Sequence, residues 1–172
     1  MRKEFIEQVS TIDPENIIYI DESGTDSNIV PQYGWSEKGL RSYAEQSGFR
    51  TQRLSIIAGY NRSTKEIFAP FEYSGYTDTG LFNGWFEQQL LPALKPGSVV
   101  ILDNASFHKD PELRIMAEEF GVRIVYLPAY SPDLNPIEKF WANLKRNIRK
   151  IIKKCVSLQE AITQAFKITL SC

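Results

Sequence analysis

The chain has 172 residues, of which 42% are hydrophobic and 24% are charged. This length and composition suit one globular domain with its own core, and they exclude a disordered, collagenous or coiled-coil protein. The formal net charge is −1, so binding of nucleic acid requires positive charge concentrated in one part of the chain.

Two cysteines, Cys155 and Cys172, lack the spacing of a metal site, which indicates a reducing compartment. The first residues carry charges where a signal peptide needs an apolar segment. The apolar runs are also far too short to span a membrane. We therefore expect a soluble, cytoplasmic protein with no membrane partner.

The first half of the chain predicts three strands. Residues 1–15 are a polar lead-in or a short helix, and the apolar run Ile17–Asp21 predicts a buried strand. Residues 23–48 are rich in glycine and polar residues, which is typical of a long loop or a loose pair of strands. Thr51–Tyr60 and Glu66–Tyr73 then predict a hairpin.

Helices and single strands alternate in the rest of the chain. The spacing of apolar residues predicts a helix over Asp78–Leu94 with Thr77 as its N-cap, followed by a buried strand over Ser98–Asp103. A helix, a strand and two further helices follow, over Pro111–Phe120, Val122–Leu127, Ile137–Ile152 and Leu158–Ile168. This order predicts an α/β fold with a mixed sheet flanked by helices.

Two apolar runs end in an aspartate, Asp21 and Asp103. Sheets of this kind present functional groups at the ends of central strands. Several converging carboxylates suit metal-dependent phosphoryl transfer, because Mg²⁺ prefers hard oxygen ligands. A solvent-facing acid at a strand end or an Asx-turn explains each residue about equally well on its own. We expect Glu22 to face solvent, because neighbouring strand residues point to opposite faces.

Glu138 is open to two interpretations. Asn135 suits a helix N-cap and Pro136 suits the first helical position, so the Glu138 carboxylate could complete a capping box. The same oxygens could instead bind a metal ion. The two roles compete for one carboxylate.

The helix that begins near Glu138 carries a concentration of positive charge, which binding of nucleic acid requires in a chain whose net charge is close to zero. No acid follows Glu138 until Glu160, and the cations fall mostly off the apolar face. We expect contact with DNA phosphates, in preference to an ordinary solvated face, from Lys139, Lys145, Arg146, Arg149 and Lys150.

His108, the only histidine, and Lys109 follow Asp103 closely. We expect both to contact DNA. For His108, the alternatives are the support of a metal ligand and a solvated position in the loop. A role as general base is less favoured than contact with DNA or support of a ligand.

Four segments, Tyr19–Ser23, Tyr33–Trp35, Leu102–Lys109 and Leu127–Glu138, resemble the catalytic domain of mariner-superfamily transposases. The resemblance is closest to the bacterial insertion-sequence branch, and the run Ser-Pro-Asp-Leu-Asn-Pro-Ile-Glu that ends at Glu138 is its most specific part. Thirty-four residues separate Asp103 from Glu138, which is the interval that this resemblance implies between the second and third acids.

The resemblance implies an RNase H-like fold with a mixed five-stranded sheet flanked by helices. It also implies that Asp21, Asp103 and Glu138 form a catalytic triad that holds Mg²⁺ or Mn²⁺, as two ions. Residues 1–16 would be a short lead-in, residues 17–154 the catalytic domain, and residues 155–172 a C-terminal helix packed on that domain. The implied reaction is cleavage at transposon ends followed by strand transfer into target DNA.

The implied partners are transposon-end and target DNA, a second copy of the chain in the DNA complex, and the bacterial nucleoid as the cellular setting. Family members carry helix-turn-helix domains ahead of the catalytic domain, and residues 1–16 are too short for them. We therefore expect a separate N-terminal polypeptide or a frameshift product to recognise the ends. The residues Tyr33-Gly34-Trp35 suit either a DNA or subunit contact or a core tryptophan.

Two alternative functions stay open at this point. One is an RNase H-like nuclease that cuts without joining strands. The other is an inactive or co-opted remnant that binds DNA.

Overall fold

The computed structural model of the chain describes residues 1–26, 37–39, 41 and 53–171, so that Tyr33-Gly34-Trp35 lies outside the described residues. The strands are β1 (Ile17–Asp26), β2 (Arg53–Tyr60), β3 (Ile67–Ser74), β4 (Val99–Leu102) and β5 (Arg123–Tyr126). The helices are α1 (Arg2–Ser10), α2 (Thr79–Trp85), α3 (Pro111–Glu119), α4 (Ile137–Ile151) and α5 (Leu158–Leu170).

The five strands form one sheet in the order β3-β2-β1-β4-β5. β1 pairs antiparallel with β2, and β2 pairs antiparallel with β3. β1 also pairs in parallel with β4, which is parallel to β5. The expected mixed five-stranded sheet flanked by helices is therefore confirmed, and β1 is its central strand.

β1 is longer than the sequence pattern predicted. Residues 22–26 continue the strand and pair with β2, from Glu22 opposite Ile57 to Asp26 opposite Arg53. The interpretation of residues 23–48 as loop or loose strand is corrected for residues 23–26. The ladder with β2 satisfies the backbone groups of this polar segment, in which Ser23 and Thr25 are buried.

Helices cover both faces of the sheet. Ile18 and Ile20 of β1 pack into a cluster with residues of α2 and α3. Ile17, on the opposite face, packs in a cluster with Phe5 of α1. Residues of β2 on that same face pack against α4 and α5. The period-two alternation of a strand therefore decides which helices each β1 residue meets.

The segment predicted as one helix over Asp78–Leu94 is divided into three helical segments of different type. α2 is capped by Asp78, whose side chain accepts a hydrogen bond from the Leu81 N–H at 2.8 Å. Thr77, the predicted cap, is hydrogen-bonded to the Tyr73 hydroxyl instead. A π-helical turn over Phe86–Leu90 and a 3-10 turn over Leu91–Ala93 follow. Pro92 in the last turn has no N–H with which to continue an α-helix.

Within the described residues, no helix is long and apolar enough to cross a membrane.

Gly59 of β2 provides a test of the packing between the sheet and the segment after α2. A Cβ atom at Gly59 would lie 2.8 Å from Ile18 Cγ2 and 3.2 Å from Leu90 Cδ1, both in the buried core. Because this space cannot accept a methyl group without displacement, Gly59→Ala should lower the free energy of unfolding by about 1–3 kcal/mol in urea denaturation. Gly84, in α2, has open space around it, and Gly84→Ala should raise that free energy by about 0.5–1 kcal/mol. Equal effects of the two substitutions would contradict the packing described.

Candidate active site

The parallel pairing of β1 with β4 brings Asp21 and Asp103 to the same level of the sheet. Tyr19 pairs with Ile101, and continuing this register by two residues sets Asp103 beside Asp21. Both side chains belong to the face that α4 covers, since side chains alternate along a strand. Asp103 follows the last residue of β4 as predicted, whereas Asp21 lies within β1, which continues along β2.

α4 brings the third acid to the same place. The Trp141 indole N–H donates a hydrogen bond to Asp21 Oδ2 at 3.1 Å, which ties the first turns of α4 to β1. Asp21, Asp103 and Glu138 line one cavity of about 280 Å³. The opposite wall of the cavity is the segment of residues 127–132.

The first turn of α4 resolves the ambiguity of Glu138. Pro136 takes the N-cap position, no described side chain caps the helix, and the Glu138 N–H bonds to the Asn135 carbonyl oxygen at 3.3 Å. The buried Asn135 Oδ1 atom has no hydrogen-bond partner among the described residues. The capping box does not form, so the exposed Glu138 carboxylate is available to the cavity.

Asp21 is the most perturbed acid of the cavity. Burial, together with the negative charges of Glu22, Glu138 and Asp103, raises the pKa of Asp21 to about 7. Like charges disfavour ionisation of a neighbouring acid. The cavity is thus a concentration of negative charge that a bound cation would neutralise.

Asp103 is held by contacts of its Oδ1 atom alone. The Ala105 N–H donates to Oδ1 at 2.8 Å, which is the Asx-turn that the sequence allowed, and His108 Nδ1 lies 2.6 Å from the same oxygen. The hydrogen bond from His108 lowers the pKa of Asp103. Asp103 is therefore oriented and kept ionised by its own loop, while Oδ2 takes no part in these contacts.

His108 is 0% exposed, which corrects the prediction that it contacts DNA. Its ring packs against Phe82 at a centroid distance of 4.4 Å, and its Nε2 lies 3.1 Å from Glu22 Oε1. Burial alone would lower the pKa of His108, but the hydrogen bonds and charges of Asp103 and Glu22 outweigh it and raise the pKa to about 9. The charged ring donates to both carboxylates, which fits the alternative role of supporting a metal ligand.

The prediction that Glu22 faces solvent is wrong for a related reason. Glu22 does point to the face opposite Asp21, but its side chain is only 17% exposed because it is paired with His108. The sequence pattern correctly predicted which side of β1 the carboxylate occupies. It did not show that His108, 86 residues further along the chain, covers that side.

The loop before α4 contains two features that the sequence interpretation missed. Tyr130 lines the acid cavity, is 100% exposed and has a φ of 54°, in the left-handed region that aromatic residues rarely adopt. Arg2 of α1 holds the loop through Asp133 at 2.6 Å and Ser131 at 3.0 Å. Strained residues cluster at functional sites, and an exposed aromatic in a proline-rich loop was a usable signal for Tyr130. No local signal points to Arg2.

The predicted DNA-contacting cations lie on the turn after Asp103 and along α4. Lys109 is exposed on the turn after Asp103, and along α4 only Lys145 is partly buried. Residues three, four, seven and eleven apart share a face of a helix. Lys145 and Arg149 therefore extend from Glu138 along one side of α4, whereas Lys139, Arg146 and Lys150 occupy the neighbouring side.

The chemistry of the three acids fits a hard divalent cation. They offer only carboxylate oxygens, the ligands that Mg²⁺ and Mn²⁺ prefer. Across the described ranges, no three His, Cys, Asp or Glu side chains converge closely enough to hold an ion as they stand. Binding would therefore require these side chains to rotate toward one another.

Solved structures share the fold of this chain. The Mos1 strand transfer complex matches with a TM-score of 0.66 and 14% identity, over 97% of this chain and 56% of that chain. The catalytic core domain of BIV integrase matches with a TM-score of 0.54 and 10% identity, over 88% of this chain and 80% of that chain. The expected RNase H-like fold is confirmed. The chain spans about half the length of the Mos1 chain that it matches.

Two sequence comparisons agree with this fold. A 50-residue segment is 36% identical to the protein y4pE/y4sA of Sinorhizobium fredii (strain NBRC 101917 / NGR234), covering 29% of this chain and 35% of that protein. Residues 16–159 match the family described as DDE superfamily endonuclease. Because that match covers most of the chain and includes all three acids of the cavity, the chain belongs to the DDE superfamily endonucleases.

Proposed function

We propose that the chain is the catalytic domain of a DNA transposase of the mariner superfamily, from its bacterial insertion-sequence branch. The observation that carries this proposal is the shared cavity of Asp21, Asp103 and Glu138. Membership of the DDE superfamily endonucleases and the likeness to the fold of the Mos1 complex support it. The motif that ends at Glu138 supports the assignment to the branch.

Asp21, Asp103 and Glu138 are the residues that would hold Mg²⁺ or Mn²⁺, as two ions. Such ions, when bound, activate the attacking oxygen and neutralise the leaving oxygen of a phosphodiester. The protein's own contribution is to orient the ligands. Trp141 holds Asp21, and His108 together with the Ala105 N–H holds Asp103.

The proposed reaction has two steps. Water attacks a phosphorus atom at the transposon end, the P–O3′ bond breaks, and a 3′-hydroxyl and a 5′-phosphate are released. The 3′-hydroxyl then attacks a phosphorus atom of target DNA, and the target's own 3′-oxygen leaves with a proton. The second step exchanges one phosphodiester for another and needs no external energy source.

The proposed partners follow from this reaction. Lys109 and the cations of α4 would contact DNA phosphates, and joining two ends requires a second copy of the chain. Sequence-specific recognition of the ends would come from a helix-turn-helix segment on a separate polypeptide or a frameshift product.

Glu138→Gln tests the triad directly. Because Glu138 caps nothing and is exposed, the substitution should change the free energy of unfolding by less than about 0.5 kcal/mol. Loss of the charge should reduce nicking of supercoiled plasmid in Mn²⁺, and joining of a labelled oligonucleotide 3′-end to that plasmid, by more than the roughly 100-fold typical of an outer-shell partner. Glu119→Gln, at an exposed position in α3, is the control and should leave both activities unchanged.

The same assay separates the alternative functions. Nicking without joined product would show a nuclease. A wild-type melting temperature that millimolar Mg²⁺ or Mn²⁺ does not change would favour an inactive remnant. A fully active Glu138→Gln variant would exclude the proposed triad.

Asp21→Asn tests the charge concentration. The pKa of Asp21 is raised from 3.8 to about 7 in the folded protein. The free energy of unfolding should therefore decrease as pH rises from about 4 to about 7, because the unfolded chain ionises Asp21 more readily than the folded protein does. In the absence of metal at pH 8, the Asn variant should therefore be more stable than wild type by roughly 1–3 kcal/mol. Millimolar Mn²⁺ should raise the melting temperature of wild type but not of the variant. A variant that keeps the Mn²⁺-dependent increase would contradict the role of Asp21 as a ligand.

Glu22→Gln tests the support of Asp103 by His108. Glutamine keeps an acceptor for His108 Nε2 but removes the charge that raises the pKa of His108. In wild type, this pKa shift stabilises the protein fully below about pH 6.5, and the stabilisation is lost as pH rises toward 9. In the variant the loss should occur at lower pH, and strand transfer should fall about 10–100-fold. Glu66→Gln, in an exposed turn, is the control; unchanged strand transfer by Glu22→Gln would argue against the role.

A further inference from the structure

A basic cleft of about 350 Å³ lies beside the acid cavity, on the other side of the first turn of α4. Arg62, Lys65 and Lys139 line it, together with Tyr60 and Asn143. Among the described residues, no carboxylate side chain lines the cleft. In the part of the chain that the structure describes, none of the three cations forms an ion pair with a carboxylate.

The turn that presents Arg62 and Lys65 is held in place by one buried side chain. The Asn61 amide group donates to the Pro14 and Glu15 carbonyl oxygens at 3.2 and 2.8 Å. Its Oδ1 atom accepts from the Ser63 and Thr64 N–H groups at 2.8 and 2.9 Å. Asn61 is 0% exposed. The backbone of the turn that carries both cations is therefore held in place before any ligand arrives, which lowers the entropic cost of binding.

A second contact fixes the turn relative to α4. The ring of Tyr60, at the end of β2, stacks on Phe140 with a centroid distance of 5.5 Å. Phe140 directly follows Lys139, so the stacked pair sets the third cation opposite the turn. Thr169 of α5, at the far wall, is already occupied by hydrogen bonds to Asn147 and the Ala165 carbonyl oxygen. Among the described residues, the donors left open in the cleft are thus the three cations, the Tyr60 hydroxyl and the Asn143 amide.

The cleft and the acid cavity share a wall. Asn135 and Glu138 line the cavity, whereas Pro136 and Lys139 line the cleft. Successive residues of one helical turn thus present a metal-binding acid on one side and a cation on the other. A DNA strand that crosses the start of α4 would meet both sites.

We propose that this cleft binds backbone phosphates of the DNA strand that flank the phosphate being cleaved in the acid cavity. Lysine and arginine side chains bind phosphate oxygens by charge and hydrogen bonding, with no requirement for base sequence. The cleft therefore holds the strand in register with the acid cavity without reading its sequence. The proposal rests on the proposed function, but its test does not depend on catalysis.

The test compares two triple variants that each lower the net charge by three. One removes the cleft (Arg62→Ala, Lys65→Ala, Lys139→Ala), and the other removes three exposed cations that line neither site (Lys3→Ala, Lys95→Ala, Arg123→Ala). Binding of a fluorescein-labelled duplex is measured by anisotropy in EDTA at several salt concentrations. The slope of log Kobs against log[salt] is negative, and its magnitude, called the slope below, should fall by about 0.9 for each phosphate that the protein no longer neutralises. The expected decrease is about 2–3 in the cleft variant and less than about 1 in the control.

Each result decides the proposal. Equal decreases of the slope in the two variants would show a general charge effect, and an unchanged slope in the cleft variant would exclude the site. Lys139→Gln alone should lower the slope by about 0.9, which keeps the test decisive if the triple variant does not fold. A failure of the proposed function can be distinguished from a failure of this proposal. The former would appear as activity retained by Glu138→Gln, whatever the anisotropy measurements show.

Discussion

The pairing of β1 with β4 is the constraint on which the site depends. These two strands run parallel, and their register sets Asp103 beside Asp21 on the face that α4 covers. β1 can pass beyond the end of β4 because β2 supplies its hydrogen bonds there. Asp21 therefore lies on β1 beyond its last pair with β4, and Asp103 directly follows the end of β4. A shift of one residue in this register would turn Asp103 to the opposite face of the sheet.

The two aspartates face opposite electrostatic surroundings although they are neighbours. Asp21 is buried among other carboxylates, and the pKa of its carboxyl is raised to about 7. Asp103 bonds to the charged ring of His108, which lowers the pKa of Asp103. Asp103 is therefore kept in its ionised form, whereas ionisation of Asp21 would be favoured by a nearby cation. Ionisation of Asp21 costs stability in the free protein, whereas the lowered pKa of Asp103 contributes stability. Strongly shifted pKa values of this kind cluster at functional sites.

The first turn of α4 organises the remaining functional surface. Glu138 faces the acid cavity and Lys139 faces the basic cleft, so a single helical turn separates the site of proposed chemistry from a site of proposed phosphate binding. The turn is anchored on both sides, by Trp141 on Asp21 and by Phe140 on Tyr60. Both contacts rest on the same hydrophobic face of α4. Packing of that face against the sheet therefore positions the two sites together.

The sequence by itself predicted the order of the strands and helices and singled out Asp21, Asp103 and Glu138 as candidate site residues. Apolar runs and helical spacing are local signals, so they located all five strands, and the specific run before Glu138 pointed to the family. Only the tertiary structure decided what covers each side chain. Strand alternation predicted that Glu22 faces solvent, and the polar residues around His108 favoured contact with DNA. The two side chains, 86 residues apart in sequence, instead meet in a buried pair. The absence of a capping box at Glu138 also became evident only in the structure. The cleft that Arg62 and Lys139 line depends on contacts between segments distant in sequence, which the local sequence pattern does not reveal.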